Sequence, residues 1–450
     1  MENTIFQLLE NKKFGEIKEI FLDMNPADIA VCFSEIEKPN DLVLFRILPK
    51  ELASEVFVEM DTDMQKDLIT AFSDKELKEV MNDIYMDDAV DIIDEMPANV
   101  AKRILAQASA TDRKLINQLL AYPEDSAGSI MTTEFVDLKA SMTVSDAFER
   151  IRKIGTDKET IYTCYVIDSS RHLKGIITAK DLMLSGSDVL IEDIMNENII
   201  FASTLQNREE VVQLFDKYDL LALPVVDNEN RLVGIITVDD AIDVLQEEIT
   251  EDFEKMAAIS PTDTPYLKTG VFEIFRSRIL WLLILMFSAT FTGMIITSFE
   301  SALASCVILT AFMPMLMNTG GNSGSQSSVT VIRALSLGEI EYDDFFRVVW
   351  KELRVSLLCG AALSILNFLK MWLFDILLLK TDGLTLTVAL VVSATLFFTV
   401  FIAKVVGCIL PILAKKLNLD PAVMASPFIT TIVDAISLTI YFLIAQSVLF

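Results

Sequence analysis

The chain has 450 residues, more than one hydrophobic core usually organises, so several domains are expected. Its formal net charge is -28, and the excess is confined to the first 270 residues, because residues 271–450 hold 11 acidic and 11 basic side chains. A surface this acidic repels nucleic-acid phosphates and attracts cations, which excludes nucleic acid as a partner, although solubility alone would also account for it.

Residues 1–125 intersperse apolar side chains with charges such as Glu10, Lys12, Lys13 and Glu16, so no signal peptide is read there and this half is placed in the cytosol. Short amphipathic helices restart near Pro49 and Pro97, a pattern that predicts an α-helical, superhelical N-domain. The five cysteines lack ligand or disulfide spacing, and His172 is the single histidine, which argues against a zinc or nickel centre. With no phosphate-cradling Gly-x-x-x-x-Gly-Lys motif and no nucleophile beside a base, neither an ATPase nor another enzyme is expected.

From residue 126 the pattern changes and repeats, over 126–190 and 191–250. Ser129-Ile130-Met131 recurs as Asp193-Ile194-Met195, and the run from Gly175 to Asp181 recurs from Gly234 to Asp240. A β-branched stretch precedes each glycine and a helix follows it, so the unit resembles a tandem CBS pair of α/β repeats. That resemblance implies dimerisation and, at Thr178 with Asp181 and Thr237 with Asp240, contacts to the ribose of ATP or another adenine nucleotide. Residues 246–275 form a connecting segment, in which a helix with five carboxylates between Gln246 and Met256 is expected to stop at Ser260-Pro261.

Residues 276–450 contain five candidate membrane spans: Ile279–Phe299, Ser301–Ile332, Val355–Phe374, Gly383–Ala403 and Pro421–Phe450. Basic residues precede the first span, lie between the second and third, and precede the fifth. By the positive-inside rule the N-terminus is cytosolic and the C-terminus extracytoplasmic. Two features stand out. In the second span Pro314 is followed by Asn318-Thr319-Gly320-Gly321-Asn322-Ser323-Gly324-Ser325-Gln326, which predicts a break in the helix lining a water-filled path, with close helix packing as the alternative. In the fifth, Asp434 is the single charge in thirty residues and requires a partner or a hydrated cavity. Magnesium suits such a site, because it keeps several waters and is held through one or two carboxylates.

The run from Pro314 to Gln326, and that from Asp420-Pro421 through Ser426, Thr430 and Asp434 to Tyr441, resemble the pore helices of the MgtE family of magnesium channels. The domain order is similar too. The resemblance implies a homodimer in the cell membrane that takes up Mg2+, with Asp434, Asn322, Gly321, Ser426 and Thr430 at the pore. It further implies that cytosolic Mg2+ closes the channel by binding Asp87, Asp91, Glu209, Asp219, Asp240, Asp243, Glu248, Glu251 and Asp252. A broader divalent channel for manganese, cobalt or nickel, and a membrane-tethered CBS sensor that conducts nothing, are the alternatives.

Overall fold

The structure is a computed structural model and describes residues 2–36, 40–262, 266–267, 269–417, 419–424 and 426–449. It divides into two compact units, Met1–Leu245 and Gln246–Phe450.

Unit 1 begins with ten short helices among the described residues: α1 (Glu2–Glu10), α2 (Phe14–Leu22), α3 (Pro26–Ser34), α4 (Asn40–Phe45), α5 (Lys50–Val58), α6 (Thr62–Ala71), α7 (Asp74–Met81), α8 (Met86–Glu95), α9 (Ala98–Gln107) and α10 (Ala110–Leu119). The restarts follow local chemistry. Pro49 and Pro97 stand immediately before α5 and α9, and Ser73 with Glu76 forms a reciprocal capping box on α7. None of these helices is long enough to be stable alone, so packing supplies the stability. Buried Phe45, Phe57 and Phe72 meet at centroid distances of 5.2 to 6.2 Å, each worth about 1.5–3 kcal/mol of apolar burial.

The two repeats fold alike. The first comprises β1 (Asp137–Leu138), α11 (Val144–Ile154), β2 (Thr163–Ile167), β3 (Leu173–Thr178) and α12 (Ala179–Leu184). The second comprises β4 (Ala202–Ser203), α13 (Arg208–Tyr218), β5 (Ala222–Val226), β6 (Leu232–Thr237) and α14 (Val238–Met256). In each, a short parallel strand joins an antiparallel pair, in the order β1-β2-β3 and β4-β5-β6. The recurring motifs are explained by a swap. A Cβ on Gly234 would lie 2.7 Å from Sδ of Met131, and one on Gly175 would lie 2.7 Å from Sδ of Met195. The Ile-Met motif of each repeat thus covers the glycine of the other. The second repeat's last helix is also the connecting helix. It ends at Met256, four residues before Ser260-Pro261, with Ala258 in the left-handed region at φ 55°.

Unit 2 contains α15 (Val271–Ser298), α16 (Glu300–Ser305), α17 (Met313–Ser336), α18 (Phe345–Lys370, continued by a π-helical segment Met371–Leu378), α19 (Leu386–Lys416) and α20 (Ser426–Leu449). Among the described residues four segments are long and apolar enough to cross a membrane: Val271–Ser298, Tyr342–Leu378, Leu386–Lys416 and Pro421–Leu449. α17 has the length but not the hydropathy, so the expected count of five is not reached by this measure.

The expected break in the second span is corrected in position. α17 runs unbroken through Asn318–Gln326, and the interruption lies earlier, where α16 gives way to a 3-10 segment, Val307–Phe312, with Pro314 in the first turn of α17. The glycines serve packing. A Cβ at Gly324 would sit 2.8 Å from Ile429 and 3.1 Å from the Ala403 carbonyl, and one at Gly320 would sit 2.6 Å from Thr399. α17 therefore packs closely on both α19 and α20. With its backbone bonds intact, it turns Asn318, Asn322, Gln326 and Thr330, spaced four residues apart, to an exposed face.

Candidate metal centre

Acidic side chains gather in unit 1 where the helical stack meets the repeats. α8 has no side-chain N-cap, and the Met86 N–H donates instead to the Glu134 carboxylate at 3.1 Å. An anion there complements the free amides and the helix dipole. The Glu159 N–H donates to the Glu134 carbonyl at 2.9 Å, which brings a second glutamate alongside. One oxygen each from Asp87, Glu134 and Glu159 then lies within 4.8 Å of the others. Oδ1 of Asp87 and Oε2 of Glu159 are buried without a hydrogen-bond partner, a costly state that a cation would offset.

The electrostatics agree. Burial, then the charges of Asp240, Asp88 and Glu159, hold the Asp87 carboxyl well above the usual range. Burial, then Asp240 and Asp239, pushes Asp88 up to about 7. Burial, then Asp240 and Asp88, pushes Glu159 up to about 8. Asp240 rises to about 6 chiefly through burial, against a hydrogen bond from Thr237, and Glu134 is raised by burial. Opposite ligands of magnesium stand about 4.1 Å apart at bond lengths near 2.05 Å. The three oxygens are therefore spaced for a dication that keeps some water or draws them slightly inward.

Of the expected cytosolic ligands, Asp87 and Asp240 are brought into this cluster. Asp91 lies one turn further along α8 and is exposed, as are Asp219, at the left-handed end of α13, and Asp243. Glu209 is half-buried in the first turn of α13, where the Asn207 side chain accepts the Glu209 N–H at 2.8 Å and so caps the helix. Glu134, Glu159 and Asp88 were not anticipated. The two Thr-Asp pairs are N-terminal caps, with Thr178 Oγ1 donating to Asp181 and Thr237 Oγ1 to Asp240 at 2.5 Å each. Asp181 is exposed, whereas Asp240 faces the acidic cluster.

In unit 2 the final turns of α14 grip the ends of other elements. Asp252 accepts from Ser336 Oγ at 3.2 Å, Lys255 pairs with Glu251 and, at 2.7 Å, with Asp420, and Met256 packs on Ile332 and Ala422. Glu248 is half-buried on the same helix. On α20 Asp434 is half-buried and, among the described residues, has no hydrogen-bond or ion-pair partner. Thr430 donates its hydroxyl to the Pro427 carbonyl at 2.9 Å and packs on buried Gly321. Asn322 is exposed, donating to Asn318 Oδ1 at 3.3 Å, and the Ser426 side chain lies outside the described residues.

A family model described as the MgtE intracellular N domain matches residues 24–125, a CBS domain model matches 127–187 and 191–247, and a model described as a divalent cation transporter matches 313–444. The magnesium transporter MgtE of Thermus thermophilus is 34% identical over 450 residues, covering 99% of this chain and 98% of that protein. The chain belongs to the MgtE family. The MgtE of Bacillus subtilis, also a magnesium transporter, is 34% identical over 98% of this chain and 96% of its own length. Two solved structures resemble the N-terminal part of this MgtE chain. The soluble part of a magnesium transporter has a TM-score of 0.52 and 31% identity, covering 55% of this chain and 97% of that one. The cytosolic domain of the Mg2+ channel MgtE in complex with ATP has the same score and identity, covering 54% and 100%. As a member of a transporter family, the protein is not an enzyme.

Proposed function

We propose that this MgtE protein is a homodimeric channel for magnesium uptake across the cell membrane, closed by cytosolic Mg2+ and with ATP as a regulatory ligand of its CBS pair. The observation that carries the conducting role is Asp434, an intramembrane carboxylate that no described side chain of its own protomer neutralises. A passing hydrated dication is its counter-ion. In the homodimer, α17 and α20 of both subunits face the path, and the exposed Asn318, Asn322, Gln326 and Thr330 of α17 offer polar groups to the ion's water shell. With the N-terminus cytosolic and the C-terminus outside, a dication entering gains roughly 4.6 kcal/mol per 100 mV, so no hydrolysis is required.

Gating follows from α14. Near its start Asp240 belongs to the acidic cluster, and its last turns hold Ser336 at the end of α17 and Asp420 before α20. Carboxylates that repel one another when empty attract when bridged by Mg2+, so a loaded cluster fixes the start of α14 and with it the ends of the pore helices. Glu248, Glu251 and Asp252, with Asp91, Glu209, Asp219 and Asp243, are further weak ligands. About 5.5 kcal/mol of differential binding, shared among them, takes a gate from 1:99 to 99:1. Thr178, half-buried at the end of its strand, and the exposed Asp181 are the expected ribose contacts. Because the matching membrane model is described for divalent cations at large, passage of manganese, cobalt or nickel is the second reading.

The test is Mg2+ uptake into liposomes by the folded full chain at low internal Mg2+. Uptake that Asp434→Ala abolishes supports the proposal, and a folded parent that passes no Mg2+ ends it.

A further inference from the structure

Behind the exposed polar face of α17, the structure holds a second set of charges. Ser327 is 2% exposed and donates its hydroxyl to Oε2 of Glu352 on α18 at 2.7 Å. Lys404 on α19 is 5% exposed, and its Nζ lies 3.5 Å from the same Ser327 Oγ. A buried ammonium is costly unless a carboxylate compensates it, and Glu352 is the acid that this hydrogen-bonded chain supplies. Glu352 also lines a cavity of about 810 Å³ between α17 and α18, whose wall includes Thr330 and Lys351. Its carboxylate borders that cavity, whereas Lys404 is sealed among helices.

The placement matters because Ser327 is the neighbour of Gln326 on the helix proposed to face the ion. A fixed cation behind that helix repels a dication, and a fixed anion attracts it. We propose that Lys404 and Glu352 are a charge-compensating pair that sets how tightly the conduction path holds a divalent cation. The pair acts through the field at the path and touches no ion, so both are positioning residues. This inference rests on the proposed channel function.

A merely structural role and an electrostatic one give different signs. If the chain Glu352–Ser327–Lys404 only held three helices together, loss of either end would harm transport in the same way. If it sets the field, the ends oppose each other. The assay is the external Mg2+ concentration giving half-maximal initial uptake, measured for the full chain in liposomes after gel filtration confirms folding. Glu352→Gln leaves Lys404 uncompensated and is expected to raise that concentration about tenfold. Lys404→Met leaves Glu352 uncompensated and is expected to lower it about tenfold, and the double variant returns to within about threefold of the parent. Single-variant shifts in the same direction, or none, overturn the proposal. Should a single variant not fold, the charge-swapped chain with Lys404→Glu and Glu352→Lys reads the same claim. A value within about threefold of the parent supports it, and a shift of about tenfold overturns it. A folded parent that passes no Mg2+ refutes the channel reading instead, which keeps the two failures distinct.

Discussion

Asp88 gives the sharpest test of the acidic cluster as a switch. Its carboxyl is raised from the ordinary 3.8 to about 7, first by burial and then by Asp240 and Asp239. The folded cluster therefore favours the protonated form more than the unfolded chain does. Stability is fully present below pH 3.8 and is lost as pH rises through 7. At about 1.4 kcal/mol for each tenfold step in acidity, the whole loss is about 4 kcal/mol, of which about 1.4 falls between pH 6 and pH 8. Hydrogen exchange of the α8 amides in chelator, corrected for the intrinsic pH dependence of exchange, should accordingly show about a tenfold fall in protection over that interval. Saturating Mg2+ should restore the protection at pH 8. Asp88→Asn should flatten the pH dependence, protect α8 better than the parent in chelator at pH 8, and gain less from Mg2+. Protection that is independent of pH in chelator, or a variant less protected than the parent at pH 8, would refute the reasoning.

Other consequences follow from single contacts. Gly324→Ala places a methyl against Ile429 and the Ala403 carbonyl and should cost about 1–3 kcal/mol, read as a lower midpoint of thermal unfolding in detergent. Lys255→Met frees Glu251 and Asp420 from their shared ammonium; uptake should then be inhibited at lower internal Mg2+, as two carboxylates become available to a dication. Asp181→Asn should weaken ATP binding to the full chain, measured by calorimetry, while leaving protection of the α8 amides by Mg2+ unchanged, because Asp181 is exposed and stands apart from the acidic cluster.

The repeats were legible because both motifs recur in both copies, and in the fold the methionine of each packs on the glycine of the other. Four of the five expected spans were legible from their missing charges, whereas the second, rich in glycine, serine and asparagine, falls short in hydropathy. The break in α17 was misread for a physical reason. Glycine and asparagine weaken a helix standing alone, but here the glycines admit Ile429, Thr430 and Val433 at close range, and that packing offsets their low helix propensity. The acidic cluster was only half legible. Asp87 and Asp240 were named, but Glu134 and Glu159 come from irregular segments and meet α8 only through tertiary contacts, the bond from Met86 among them. No local spacing marks such residues among 65 acidic side chains.

The central claim is that Mg2+ bridging this cluster shuts a pore built around Asp434. Its most direct test is the inhibition of liposome uptake by internal Mg2+, comparing the parent with a folded chain carrying Asp87→Asn, Glu134→Gln and Glu159→Gln. The account predicts undiminished uptake at low internal Mg2+ and inhibition displaced to higher internal Mg2+ by about tenfold or more. An inhibition curve that coincides with the parent's would contradict it.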